Sequence, residues 1–414
     1  MKILKVANLL LPLAFALPAA AGQKIVTFAE GLDAAARAEV IEGRGGRIVK
    51  EFPFINGVLA DFPDDKLAAD LSRARGVDSA EDDLELNWLA SEGALTLEAA
   101  QTSLRAGEPP AVQPPPAQPP AVSTAAAEAP FFYSTANAEG KVDRLPWSVV
   151  KLGAVRVWDR AKGAGARVAV LDTGVDCRHP DLAPNCLPGY NVITPRAEPA
   201  DDKGHGTHVS GIIAGALNWS GMAGLAPEAK IIPVKVLNSS GTGKVSQIIE
   251  GMEWAVRQRP DVINMSLGSP NFSEAQGKAV KAARKAGVLV VCAAGNDGGK
   301  VNYPAAFEDA VAVSAMDFAG AITNFSCRGP EVDFIAPGHK IFSAYPGGKF
   351  MAAAGTSQAA PQISGLAALA VSMGARGERA LMSALRKAAV DLGLPSEHQG
   401  AGVPMATRLA AALP

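Results

Sequence analysis

The chain is 414 residues long, 48% hydrophobic and 19% charged, with a formal net charge of −2. That is ordinary globular material with room for two or three domains. The near-neutral balance gives no electrostatic case for nucleic acid or an anionic membrane surface as partner.

Residues 1–21 read as a secretory signal. Lys2 and Lys5 supply the basic start, Leu9 to Leu17 the apolar centre, and Ala19-Ala20-Ala21 a small-residue cleavage site before Gly22. The apolar run is too short to span a bilayer comfortably, and no later stretch offers roughly 20 apolar residues. The expected product is secreted, extracellular or periplasmic, and free of the membrane once the signal is cut. Export places the four cysteines in an oxidising compartment. Of their three possible pairings, Cys177–Cys186 with Cys292–Cys327 joins residues near in sequence and leaves no thiol over. Free, buried thiols are the alternative.

Residues 22–90 read as a compact unit. Lys24 to Phe28 forms a strand and Asp33 to Glu42 an Ala-rich helix. Gly46 to Phe54 and Gly57 to Phe62 form a hairpin turning near Asn56-Gly57. A second helix is expected from Pro63 to Arg73 and a last strand near Leu84-Glu85-Leu86. The order β-α-β-β-α-β is ferredoxin-like, a small α+β domain. Residues 91–142 follow as a Pro/Ala-rich linker, with Pro109 to Pro120 dominated by Pro, Ala and Gln. Such composition favours extended polyproline II and cannot build a core.

Residues 143–414 alternate short apolar runs with helical stretches, the pattern of an α/β fold with a mostly parallel sheet flanked by helices. Strands are expected at Arg167–Leu171, Ala229–Leu237, Val262–Met265, Val288–Ala293 and Ala310–Val313. Helices are expected at His208–Leu217, Ser246–Gln258, Phe272–Ala286 and Ser357–Val371. In such sheets ligands sit beyond the carboxyl ends of the strands. Asp172, Ser266 and Asn296 all fall there.

Three strings in that region carry chemistry: Asp172-Thr173-Gly174, His205-Gly206-Thr207-His208 and Gly355-Thr356-Ser357. A serine hydroxyl is a poor nucleophile near neutral pH and needs a neighbouring base. Ser357 stands at the start of a long apolar helix, whose N-terminus favours developing negative charge. Ala294-Gly295-Asn296-Asp297 adds a side-chain amide donor. The chain order Asp, His, Ser is that of subtilisin.

With these four motifs, residues from about Leu145 to Ala411 resemble the subtilases, the subtilisin and proteinase K family of serine peptidases. The resemblance implies Ser357 as nucleophile, His205 as general base and then acid, and Asp172 as the group that orients the imidazole. Asn296 and the Ser357 N–H would hold the oxyanion. His208 and Asp176 would be structural. Gly241, Thr242 and Gly243 would pair with the substrate strand upstream of the cut. Ser266, Leu267 and Gly268 would wall one side of the P1 pocket, which takes the residue before the cut. Ala293, Ala294 and Gly295 would wall the other, with Asn302 at the floor and Asp297 near the rim. A broad apolar or aromatic P1 preference follows, with some tolerance for basic residues.

The resemblance also implies a structural calcium on Asp181 and Asn218, with Asp143 as a further carboxylate. No cofactor is needed for the chemistry. Residues 22–90 resemble, less specifically, the inhibitory prodomain of a self-processing zymogen. Leu86-Asn87-Trp88-Leu89 would be the tail laid through the cleft, first cut after Leu89. Partners would then be protein or peptide substrates and the chain's own prodomain, and a monomer is expected. Two positions depart from the family pattern: Gln358 stands where many members carry Met, and Gln362 where His is common. Without a thioether beside Ser357, tolerance to peroxide is expected. The competing reading is a catalytically weak homologue that binds peptides. An esterase of the α/β-hydrolase type lacks its Gly-x-Ser-x-Gly elbow here and has the wrong chain order.

Overall fold

The computed structural model describes residues 22–89 and 132–413; the signal segment and residues 90–131 lie outside the described residues. The chain divides into two compact units between Asp83 and Leu84. No helix among the described residues is long and apolar enough to cross a membrane.

The first unit runs β1 (Gly22–Phe28), α1 (Ala34–Glu42), β2 (Arg47–Phe52), β3 (Gly57–Phe62), α2 (Asp65–Ala68) and β4 (Val77–Asp82). Its antiparallel sheet has the order β2-β3-β1-β4, which is the ferredoxin-like arrangement. Asp33 starts α1 by accepting the Ala36 N–H at 2.8 Å. Val26, Phe28, Val58 and Phe62 from the sheet bury against Ile41 and Leu71. Two expectations need correction. The second helix is broken into α2, whose start Asp64 caps by accepting the Lys66 N–H at 2.9 Å, and a 3-10 turn at Leu71–Arg73. The closing strand is Val77–Asp82, and Glu85–Asn87 belongs instead to the second unit.

That second unit begins with β5 (Glu85–Asn87) and resumes with a hairpin, β6 (Phe132–Ala136) and β7 (Val142–Pro146). The hairpin takes residues 132–142 out of the expected linker. A short helix, α3 (Trp147–Lys151), leads to the core. Seven parallel strands form it: β8 (Arg167–Asp172), β9 (Tyr190–Asn191), β10 (Lys230–Lys235), β12 (Val262–Met265), β13 (Leu289–Ala293), β14 (Val311–Met316) and β15 (Val332–Pro337), in the order β15-β14-β13-β12-β8-β10-β9. β12, β13 and β14 are buried at every residue, as strands covered on both faces must be. Between them run α4 (His205–Ala214), β11 (Thr242–Lys244), α5 (Val245–Arg257) and α6 (Glu274–Lys285). An antiparallel hairpin, β16 (Ile341–Tyr345) with β17 (Lys349–Ala353), precedes α7 (Thr356–Ser372). α7 is buried from Thr356 to Val371 and packs across β12, β13 and β14.

Cys177 and Cys186 are bonded, with Cα atoms 5.7 Å apart. The expected Cys292–Cys327 bridge is not formed; both are buried free thiols. Closeness in sequence misled here, because Cys292 is fixed inside β13 while the Cys327 thiol turns to Asp297, 2.8 Å away.

Candidate active site

The sheet positions the site. β8 delivers Asp172 at its last residue, β12 is followed directly by Ser266, and β13 by the loop holding Asn296. All three lie at the carboxyl edge of the sheet, where a parallel arrangement opens its crevice.

Asp172 is fully buried, and its Oδ1 lies 2.7 Å from His205 Nδ1. That oxygen also accepts the Thr173 N–H at 2.7 Å. Burial pushes the Asp172 carboxyl up, while the imidazole and the Thr173 N–H pull it back toward ionisation. The close fit requires glycine at 206: a Cβ there would lie 2.1 Å from Gly174 O and 3.0 Å from the Asp172 Cβ. Asp201 does much of the joining. Its Oδ2 accepts from Thr207 N at 2.9 Å and from Thr207 Oγ1 at 2.6 Å, and its Oδ1 from Gly204 N and Thr173 Oγ1, each at 2.8 Å. One carboxylate therefore caps α4 and ties that helix to the end of β8. It also moves the start of α4 from the expected His208 to His205. His208 is buried in the helix and faces the Ile341 and Met351 carbonyls, a structural placement.

Ser357 stands in the first turn of α7 and is 3% exposed. Its hydroxyl donates to Ser266 O at 3.2 Å, and Ser266 Oγ donates to Ser357 O at 2.8 Å. Behind this pair, Asn264 Nδ2 donates to Ser266 Oγ at 3.0 Å and Ser364 Oγ to Asn264 Oδ1 at 2.8 Å. A buried polar chain thus fastens α7 to β12. Sequence reasoning missed Asn264, Ser364 and Asp201. A polar residue inside an otherwise apolar strand was the available signal for Asn264.

Asn296 Oδ1 accepts from Thr356 N at 2.7 Å and from Thr356 Oγ1 at 2.9 Å. Its oxygen is so committed, and Asn296 lines a cavity that Ser357 also lines. This small cavity is also lined by Leu267, Gly268, Ala293, Gly295, Asn302 and Trp88. Ser266 and Ala294 are buried behind it. Gly241, Thr242 and Gly243 lie apart from this cavity and hold a strand. β11 pairs antiparallel with β5, Thr242 opposite Asn87 and Gly243 opposite Leu86. Trp88 then donates its N–H to Gly241 O at 3.0 Å and its indole Nε1–H to Gly243 O at 2.8 Å, while its carbonyl accepts from Gly268 N at 3.1 Å. Residues 85–88 are therefore held between Gly241–Gly243, expected to pair with the substrate strand, and Gly268, expected in the P1 wall. A larger open cleft lies beside Cys177 and Gly347, lined by Asp176, Arg178 and Arg196. It contains neither His205 nor Ser357.

The expected calcium ligands do converge on one loop, but their donors and acceptors do not suit a cation. Asp143 accepts the N–H groups of Trp219, Ser220 and Gly221 at 2.7, 3.0 and 2.9 Å. Asp181 accepts from Met222 N at 2.8 Å and from Asn218 Nδ2 at 3.0 Å. The Asn218 oxygen is taken by Ser220. Successive backbone N–H groups aimed at one carboxylate form an anion cradle, whereas a hard cation requires carbonyl and carboxylate oxygens turned inward. No group of three or more His, Cys, Asp or Glu among the described residues is arranged to hold a metal.

Comparison with known proteins matches this architecture. A model of the subtilase family fits residues 163–402. An intracellular serine protease from Paenibacillus polymyxa is 40% identical over 247 residues, covering 57% of this chain and 76% of the relative. Subtilisin Savinase from Lederbergia lenta is 43% identical over 227 residues, covering 54% of this chain and 83% of the relative. A thermostable alkaline protease from Halalkalibacterium halodurans is 42% identical over 236 residues, covering 56% of this chain and 64% of the relative. With its parallel sheet and the family match over more than half its length, the chain belongs to the subtilase family and is a subtilisin-like serine endopeptidase.

Proposed function

We propose that this chain is a secreted, self-processing endopeptidase in which Asp172, His205 and Ser357 act as the triad and Asn296 as the oxyanion donor. The observation that carries the reading is the buried 2.7 Å Asp172–His205 hydrogen bond, at the same sheet edge as Ser357 and Asn296. His205 takes the Ser357 proton as the hydroxyl attacks the scissile carbonyl, and returns it to the leaving amine. Asp172 holds Nδ1 and stabilises the imidazolium. The tetrahedral oxygen receives Asn296 Nδ2–H and the Ser357 N–H. The chain's own residues supply every group in these steps.

The substrate binds as an added strand on Gly241–Gly243 and Gly268, with an apolar or aromatic P1 side chain between Leu267-Gly268 and Ala293–Gly295. Residues 1–21 are the signal, 22–90 the inhibitory prodomain, 91–142 mainly linker and 143–414 the catalytic region, working as a monomer outside the cytoplasm. Pairing of residues 85–87 with β11 supports the prodomain reading, since the segment occupies the place of a substrate strand.

Expression of residues 22–414 beside Ser357→Ala, followed by intact mass, tests this. The parent is expected to shed the chain up to about Leu89, with trimming of the linker afterwards, while the variant stays whole. Identical behaviour of the two proteins, with no peptide hydrolysis by the parent, would move the reading to a peptide-binding homologue.

A further inference from the structure

β8 and β10 end side by side, and a buried lysine closes the pair. Lys235, the last residue of β10, lies opposite Asp172 in the parallel register. The next two N–H groups, of Val236 and Leu237, donate to Asp172 O at 2.9 and 3.1 Å. The Lys235 side chain is 6% exposed. Its ammonium donates to Thr173 O at 2.6 Å, to Leu237 O at 2.9 Å and to Asp202 Oδ1 at 2.7 Å, so each of its N–H bonds has an acceptor. Thr173 is fully buried and held from every side. Its N–H goes to Asp172 Oδ1 at 2.7 Å, its hydroxyl donates to Asp201 Oδ1 at 2.8 Å, and the same hydroxyl accepts from Gly206 N at 3.1 Å. Thr173 thus joins Asp172 to the first turn of α4, which carries His205, and Lys235 fixes its remaining polar group, the carbonyl.

We propose that Lys235 is a positioning residue for the Asp172–His205 pair: its ammonium clamps the ends of β8 and β10 through Thr173 and sets a fixed positive charge beside the pair. The inference rests on the triad reading. Two of the three acceptors are neutral carbonyls, and the one carboxylate, Asp202, is 49% exposed. Water screens that carboxylate more than the buried ammonium, so the cation is incompletely offset at the pair. A positive charge there favours ionised Asp172 and opposes the imidazolium that His205 becomes on taking a proton. The other charged or titratable groups around Lys235 are Asp201 and Lys203 on the loop before α4, His205 on α4, and Tyr190 on β9. Asp201 is taken up by Thr173 and the first N–H groups of α4, and the Tyr190 hydroxyl donates to Glu250 of α5 at 2.8 Å.

The test is the pH dependence of kcat/KM on a blocked, uncharged peptide, whose acid limb follows protonation of His205 in the free enzyme. The parent is compared with Lys235→Met, Lys235→Arg and Asp202→Asn, with kcat and KM separated. Lys235→Met keeps the stem without the charge. Its kcat is expected to fall on the order of tenfold as the pair loosens, and its acid limb to move up by about half a pH unit. Lys235→Arg keeps the charge and should leave the limb where the parent has it. Asp202→Asn leaves the lysine's charge unopposed and should move the limb the other way, down by a few tenths of a unit, a shift that added salt reduces. A merely structural lysine would lower kcat with the limb unmoved. An active parent whose limb stays put in both Lys235→Met and Asp202→Asn, or moves the same way in both, overturns this inference alone. Should Lys235→Met fail to fold, the half-exposed Asp202 decides: an unmoved limb in Asp202→Asn overturns it. A parent that hydrolyses the peptide no better than Ser357→Ala overturns the triad reading beneath it.

Discussion

At the scale of single residues, two side chains next to Ser357 and Asn296 make testable differences. Gln358 follows Ser357 and is 2% exposed; it carries no thioether, whereas a methionine in its place could be converted to sulfoxide once oxidant reaches it. Activity is expected to survive dilute peroxide, while Gln358→Met loses it under the same treatment with the fold intact by circular dichroism. Equal loss in both proteins would place the sensitive group elsewhere. Asp297 provides the pH counterpart. The Cys327 thiol, first among several donors that include the Gly299 N–H and the Asn302 amide, holds its carboxyl below the usual carboxylate range against the opposing effect of burial. Folding therefore favours the ionised form. The stabilisation is complete above the unfolded value of about 3.9 and is lost as pH falls through the lower folded value. Asp297→Asn should flatten that acid limb and leave stability at pH 6 less affected than its slope below pH 4, as read from urea unfolding at several pH values. A slope that persists in the variant would assign the acid sensitivity to other carboxylates.

At the scale of elements, the Asn218–Met222 loop shows how the same residues serve one chemistry or another according to which backbone atoms face inward. Asp143 is fully buried and accepts three N–H groups from this loop, so the carboxylate itself supplies the local counter-charge. The melting temperature is expected to be unmoved by a chelator, whereas Asp143→Ala strands buried donors at about 1–3 kcal/mol and should lower it by several degrees. A fall on chelation would mean that the loop turns its carbonyls inward around a metal. Composition could not separate these cases, because Asp and Asn serve either. Legibility elsewhere followed physical lines. β8 was readable as a continuous apolar run through Leu171, and β12 as an apolar run broken by Asn264. β15 was not: as an edge strand it carries Asp333, which accepts the Ala312 N–H and the Arg386 guanidinium, and it ends in Pro337. The four motifs around Asp172, His205, Asn296 and Ser357 stood out because each is a local string. Asp201, Asn264 and Ser364 act through partners distant in sequence or packing, and the same limit produced the false Cys292–Cys327 pairing.

At the scale of the whole molecule, the chain changes allegiance at one point. Residues through Asp83 build the small ferredoxin-like unit, and from Leu84 the backbone belongs to the second unit, where β5 lies on β11. The sequence showed a strand at Leu84–Leu86 but not its partner, since alternation specifies a face and never which edge it joins. Within the segment Trp88 is the strongest anchor: it is 2% exposed and makes main-chain bonds to Gly241 and Gly268 as well as the indole bond to Gly243. Buried tryptophans of this kind dominate interface energetics, typically by 2 kcal/mol or more, or about 30-fold in affinity. On the prodomain reading, a separate fragment spanning residues 22–89 inhibits the matured enzyme, and Trp88→Ala raises its inhibition constant by about that factor. The fragment's own fold can be checked by circular dichroism, because Trp88 lies outside the core of the first unit. Inhibition of equal strength by both fragments would mean that the ferredoxin-like unit does the binding and the segment merely trails across the cleft. Loss of inhibition with the fold preserved would assign the occlusion of the substrate strand to residues 85–89.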